Sequence, residues 1–269
     1  MDQIVLFGDS ITQQSFSQQK GFGFGAELSD RYARRLDVIN RGFSGYNTAR
    51  AIQVLPYAIP PPEKATIRLL TIFFGANDSR LPHTPPPTTP QQHLPPADFK
   101  SNLQTLLSHP RVKSHARARI ILVTPPPVDE RMLRATDAAN IPGFSGLRRT
   151  ARTTAMYAEV VREVGRERGV GVCDVWGGMV GRAGWRDGDG EGEEGLVGVE
   201  GARESAVLRG FLSDGLHLSP EGYKVLFEEL METVKTYCPE LLPENLPMVL
   251  PDWKDLEAWE AFEGRESAG

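Results

Sequence analysis

Short apolar runs alternate with segments of helical periodicity along the chain. The runs occupy residues 4–7, 38–39 within 37–42, 67–74, 120–123 and 170–175. Continuous runs this short suit strands buried on both faces, as in a parallel sheet. The segments between them have helical spacing. Phe99, Leu103, Leu106 and Leu107 recur at i, i+4, i+7 and i+8, an amphipathic stripe. Tyr223, Leu226, Phe227, Leu230 and Val234 share one face of a later helix, with Ser219 placed to cap it and Pro220 in its first turn. Strand and helix alternating five times predict an α/β chain: three layers, α/β/α, with about five parallel strands in the flavodoxin-like order 2-1-3-4-5 and right-handed crossovers.

Two stretches break the rhythm. Residues 82–96 are rich in proline and predict an extended loop. Residues 181–204 interleave glycine with acid and predict a solvated, mobile insertion, with a regulatory or partner-binding segment as the alternative. Residues 1–240 are expected to form one domain. The tail, 241–269, holds Trp253, Trp259 and Phe262, too much aromatic surface for a linker, and is expected to pack back onto that domain.

Composition narrows the function classes. The 269 residues are 40% hydrophobic and 24% charged, with a net charge of −5. That mild acidity argues against nucleic-acid binding, which favours a basic face. No apolar run approaches the roughly 20 residues needed to span a membrane. Met1-Asp2-Gln3 leads straight into a run too short for a secretory signal core. Cys173 and Cys238 are too few for a disulfide scaffold or a structural zinc site. The expectation is a cytoplasmic protein with free thiols and no membrane span.

Ligands of open parallel sheets bind beyond the carboxyl ends of the strands. The residues there are Gly8-Asp9-Ser10-Ile11-Thr12, then Gly42-Phe43-Ser44-Gly45-Tyr46, Gly75-Ala76-Asn77-Asp78 and the prolines 125–127, with Asp214-Gly215-Leu216-His217 ahead of the last helix. These are the parts of a serine hydrolase. Ser10 supplies a hydroxyl that needs a base to become nucleophilic. His217 can take that proton and return it to the leaving group. Asp214, three residues earlier, can hold the imidazole from its far nitrogen. The N–H groups of Ser10 and Gly45 and the side-chain amide of Asn77 are candidate oxyanion donors. Asp9 is assigned to holding the turn. Each residue alone has a bland alternative: a helix cap for Ser10, a turn former for Asn77, a surface or core histidine for His217. Their joint order at successive strand ends is what carries the chemistry.

That order resembles the four sequence blocks of the GDSL (SGNH) hydrolase family, whose name-giving positions are matched by Ser10, Gly45, Asn77 and His217. The resemblance spans residues 8–217 and implies a flavodoxin-like sheet and ester hydrolysis without metal or organic cofactor. The segments 6–13, 41–48, 74–78 and 92–95, with Pro251-Asp252-Trp253-Lys254, are similar to the isoamyl acetate-hydrolysing esterase branch, which implies small acetate and other short-chain esters as substrates. The proline expansion at 82–90 and the acidic insertion depart from that branch.

Several rivals are weighed against this. Residues 21–26 match G-x-G-x-x-A, but no strand directly precedes them, so dinucleotide binding is disfavoured. No G-x-S-x-G elbow occurs, which disfavours an α/β-hydrolase. The other histidines lack metal-ligand spacing. The remaining alternatives are a lysophospholipase or thioesterase, a sugar acetylesterase, and a non-catalytic binding domain of the same fold. Phe43, Tyr46, Leu81 and Pro126 are candidate pocket residues, with ordinary loop packing as the alternative. The expected partner is a small-molecule ester.

Overall fold

The computed structural model describes residues 1–86, 91–185, 195–201 and 204–266. Five strands form one sheet: β1 (Gln3–Gly8), β2 (Asp37–Gly42), β3 (Ile67–Phe73), β4 (Arg119–Val123) and β5 (Gly171–Cys173). Their order is β2-β1-β3-β4-β5, and every neighbouring pair is parallel. This is the three-layer arrangement expected from the alternating pattern. The helices are α1 (Ser10–Gln13), α2 (Phe24–Arg31), α3 (Thr48–Ala58), α4 (Pro96–Ser108), α5 (Pro110–Lys113), α6 (Glu130–Asn140), α7 (Ala151–Arg168), α8 (Val175–Arg182), α9 (Ala206–Phe211), α10 (Pro220–Tyr237) and α11 (Leu256–Glu266).

Strands β1, β3 and β4 are largely apolar on both faces, and the two-residue period sorts their side chains into two cores. Ile4, Leu6, Leu69 and Ile121 point to one side, against Leu28 of α2, Met179 of α8 and Leu226 and Leu230 of α10. Val5, Phe7, Leu70 and Leu122 point to the other, against Leu55 of α3, Phe99 and Leu103 of α4 and Val161 of α7. The helical stripes expected around Phe99 and Tyr223 are the buried faces of α4 and α10.

The fifth apolar run, expected as strand to residue 175, is cut short. Strand β5 ends at Cys173 because Asp174 caps α8, its Oδ1 accepting the Gly177 N–H at 3.1 Å. The proline-rich stretch also ends one residue early, since Pro96 opens α4; residues 87–90 lie outside the described residues. Within it, the Arg80 guanidinium donates to the carbonyls of Thr84, Pro85 and Pro86.

Of the 181–204 insertion, residues 186–194 and 202–203 lie outside the described residues. Its return leg is packed rather than solvated. Leu196 is buried beside Val128 and Trp176, the Gly198 carbonyl accepts the Glu130 N–H at 2.9 Å, and the Glu200 N–H donates to Glu130 Oε2 at 2.8 Å. After α10 the chain returns to the end of α2. Arg35 Nε donates to the Leu246 carbonyl, Val249 N–H donates to the Arg34 carbonyl, and Arg34 donates to the Pro251 carbonyl. Trp253 takes no part in this docking and is 76% exposed. Among the described residues no helix is long and apolar enough to cross a membrane.

Candidate active site

The serine stands on a turn with no spare room. Strand β1 ends at Gly8, and Asp9 caps α1 by accepting the Ile11 N–H on Oδ1 at 2.9 Å. A Cβ on Gly8 would lie 2.1 Å from Thr12 Oγ1 and 2.7 Å from the Phe73 carbonyl, so only glycine lets the strand turn this sharply into the helix. Ser10 is thereby the first residue of α1, beyond the carboxyl end of β1 and partly accessible at 7%.

His217 and Asp214 arrive from the loop between α9 and α10. An antiparallel bridge between Leu212 and Leu218 pinches the loop, and Ser213 N–H donates to the His217 carbonyl at 2.8 Å. Gly215 sits at φ +91°, where a side chain would strain the backbone and strike the Leu133 N at 2.6 Å. Within this turn Asp214 Oδ1 accepts the N–H groups of Leu216 and His217, at 2.9 and 2.7 Å. Its Oδ2 lies 2.7 Å from His217 Nδ1. His217 Nε2 lies 3.0 Å from Ser10 Oγ. Burial pushes the Asp214 carboxyl up, but the hydrogen bond and charge of His217 outweigh it and hold the group at about 2. An ionised carboxylate accepts only, so it keeps the imidazole proton on Nδ1 and leaves the Nε2 lone pair facing the serine hydroxyl.

Two further loops close on the same edge. Gly45 adopts φ +80°, and its carbonyl accepts Gln92 Nε2 at 2.9 Å. Asn77, 5% exposed, follows β3; its Nδ2 donates to the Tyr46 carbonyl at 2.9 Å. Asp78 locks these loops together, its Oδ1 accepting both the N–H and the Oγ1 of Thr48 at the start of α3. Burial pushes the Asp78 carboxyl up to about 6.

Of the four residues named as pocket candidates, two pack against each other. Phe43 stacks on Tyr46 at 5.3 Å and meets Phe7 edge-on at 6.1 Å. Pro126 is buried. Leu81 borders a cavity of about 320 Å³ shared with Arg80, His83 and His93; neither Ser10 nor His217 lines it. The glycines of the 21–26 motif serve packing. A Cβ on Gly23 would meet the Ser15 carbonyl at 2.2 Å, one on Gly25 would meet the Phe16 ring at 2.4 Å, and Phe24 stacks on Tyr223.

Sequence reasoning missed a buried cation beside Asn77. Arg149, 4% exposed just ahead of α7, donates from Nε to the Ala76 carbonyl at 2.6 Å and from a terminal nitrogen to Asn77 Oδ1 at 3.0 Å. Burial lowers its guanidinium to about 10. In the sequence it is half of an Arg-Arg pair with nothing to separate it from surface charge. Asp9 is also buried, burial raises it to about 7, and among the described residues its Oδ2 has no hydrogen-bond partner.

Comparison with known proteins gives the family. The model of the GDSL-like Lipase/Acylhydrolase family matches residues 6–225. The mouse isoamyl acetate-hydrolyzing esterase 1 homolog is 37% identical over 257 residues, covering 94% of this chain and 88% of its own. A GDSL esterase/lipase of Arabidopsis thaliana is 34% identical over 269 residues, covering 98% of both chains. Among solved structures, a lipase/acylhydrolase from Enterococcus faecalis superposes with a TM-score of 0.58 at 23% identity, covering 92% of this chain and 98% of that one. The acetylxylan esterase Axe2 from Geobacillus stearothermophilus gives 0.59 at 16% identity, covering 87% and 94%. At those identities the two structures establish the shared fold. The chain therefore belongs to the GDSL-like lipase/acylhydrolase family and is a carboxylic ester hydrolase.

Proposed function

We propose that the protein hydrolyses small, short-chain carboxylic esters of the acetate type through an acyl-enzyme on Ser10. The observation that carries the mechanism is the continuous relay from Ser10 Oγ through His217 to Asp214, with contacts of 3.0 and 2.7 Å. The substrate class is supported by relatives named for isoamyl acetate hydrolysis at 35–37% identity.

In the first half-reaction Ser10 Oγ attacks the ester carbonyl carbon while His217 Nε2 takes its proton. The carbonyl π pair moves onto oxygen. That oxyanion accepts hydrogen bonds from the N–H groups of Ser10 and Gly45 and from Asn77 Nδ2. The amide nitrogen has two hydrogens, and the Tyr46 carbonyl takes one. The tetrahedral adduct then collapses. The C–O bond to the alcohol breaks, and His217 delivers its proton to the departing oxygen. In the second half, water loses a proton to His217, attacks the acyl carbon, and releases the acid and the Ser10 hydroxyl. An alcohol replacing water would give acyl transfer from the same intermediate. We take residues 1–240 as the catalytic unit and the tail as an extension tied to it through Arg34 and Arg35.

The test is hydrolysis of p-nitrophenyl esters from acetate to palmitate, with Ser10→Ala alongside. Activity greatest at acetate or butyrate and lost in the variant is the expected result. A maximum at long acyl chains would move the substrate to lipids or thioesters. Undiminished activity in Ser10→Ala would remove that residue from the mechanism.

A further inference from the structure

We infer that Arg149 is a positioning residue for the reaction: its buried guanidinium fixes the orientation of the Asn77 amide and polarises it as an oxyanion donor. This rests on the assignment of Asn77 as an oxyanion donor above.

An asparagine amide can be placed two ways round, and only its neighbours decide which end faces where. Arginine has donors and no acceptor. The amide end that meets Arg149, at 3.0 Å, must therefore be the oxygen. Gln92 Nε2 gives the same oxygen a second donor at 3.3 Å. With Oδ1 held from two sides, Nδ2 is turned toward the Tyr46 carbonyl and keeps one hydrogen to donate. The same Gln92 nitrogen also donates to the Gly45 carbonyl at 2.9 Å, so the two loops carrying the proposed donors share one tether.

The charge matters as well as the geometry. Among the described residues no carboxylate lies within ion-pairing distance of Arg149, although Arg148 beside it pairs with Asp137. A buried, always-charged group that spends its hydrogen bonds on a carbonyl and an amide oxygen draws electron density from that amide. This makes the N–H at the other end a stronger donor, an effect that low dielectric enlarges. The second bond, to the Ala76 carbonyl, holds the backbone immediately before Asn77. A purely structural arginine has no need to grip both the amide and its own backbone.

Turnover is measured for Arg149→Met, Arg149→Lys and Gln92→Leu, each alone and combined with Asn77→Ala. Rates are normalised to active sites titrated with a fluorophosphonate, which removes any loss of folded protein. Arg149→Met should lower kcat by tenfold or more at little change in KM, within the roughly 100- to 1,000-fold that one oxyanion donor commands. In the Asn77→Ala background that loss should largely vanish, because residues acting through one group are not additive. Arg149→Lys, which keeps a donor-only cation, should recover part of the rate, and it carries the same comparison if Arg149→Met does not fold. Gln92→Leu should show a smaller loss that also vanishes with Asn77→Ala. Equal losses in both backgrounds, or losses that disappear on normalisation, would overturn the inference. Wild-type protein without Ser10-dependent hydrolysis would instead overturn the assignment on which it rests.

Discussion

Tyr223 Oη donates a buried hydrogen bond to the Ile11 carbonyl at 2.7 Å. Ile11 follows Ser10 in α1, and Tyr223 lies on the helix that begins just after His217. The bond therefore ties the serine turn to the element that carries the base. Tyr223→Phe keeps the ring stacked on Phe24 but leaves the carbonyl unpaired, at a cost of about 1–3 kcal/mol. Tyr32 makes a matching buried bond to the Leu241 carbonyl, far along the chain from the site residues. Tyr32→Phe should lose similar stability in urea titrations. Only Tyr223→Phe should also lower kcat.

Asn77→Ala should lower kcat by about 100- to 1,000-fold if its amide meets the oxyanion. A loss confined to KM would assign the amide to ground-state binding. The Tyr46 carbonyl also loses its donor, so stability is measured in parallel to separate the two effects.

The sheet was legible because strands buried on both faces must read as continuous apolar runs, as 4–7 and 120–123 do. Ser10 and the Asp214–His217 turn were legible because side chains at a strand end and three residues apart in a turn have few places to go. Arg149 was not, because a buried cation satisfied by the Ala76 carbonyl and the Asn77 amide leaves no spacing in the sequence. The return leg of the insertion escaped for a related reason. Its docking depends on Glu130 accepting the Glu200 and Ala151 N–H groups, contacts between distant segments that composition reads as solvated charge. The short β5 turned on a single cap, Asp174, inside an apolar run.

Asp214→Asn should be far more damaging to turnover than to folding. The two backbone N–H groups at Oδ1 require an acceptor, so the new amide oxygen stays there. Its nitrogen then faces His217 Nδ1, donor against donor. The imidazole must move its proton to Nε2, where it can no longer accept from Ser10. The equivalent change in a serine protease costs about 10,000-fold in kcat, and a similar loss is expected here. Near wild-type turnover would show that His217 does not need this carboxylate.

Gly42→Ala and Gly45→Ala should separate steric from conformational cost. A Cβ on Gly42 would lie 2.0 Å from the Gln13 N and 2.6 Å from the Thr12 carbonyl carbon, atoms that cannot yield without moving α1. Gly45 has room, its nearest neighbour being Gln92 Nε2 at 3.4 Å, but its φ of +80° should cost alanine about 1–2 kcal/mol. Gly42→Ala should be the less stable protein in thermal unfolding, and Gly45→Ala should stay folded with reduced kcat. The reverse order of stability would contradict the packing around β2.

Asp9 should leave a mark on the pH dependence of stability. Its carboxyl is raised by burial from 3.8 to about 7 in the folded protein. Between those values the folded state keeps a proton that the unfolded chain has released, so stability falls as pH rises through the window. Asp78, raised to about 6, adds a similar fall that ends earlier. Asp214 has the opposite sign, but its contribution is lost only as pH drops from 3.8 toward about 2, outside the window. Asp9→Asn keeps an oxygen for the Ile11 N–H and removes the ionisation. Urea midpoints taken from about pH 4 to about pH 8 should decline in the wild type and flatten in the variant, most clearly above pH 6, where Asp78 is already more than half ionised. Parallel curves for the two proteins would show that Asp9 titrates alike in folded and unfolded chains, and would place the descent elsewhere in the molecule.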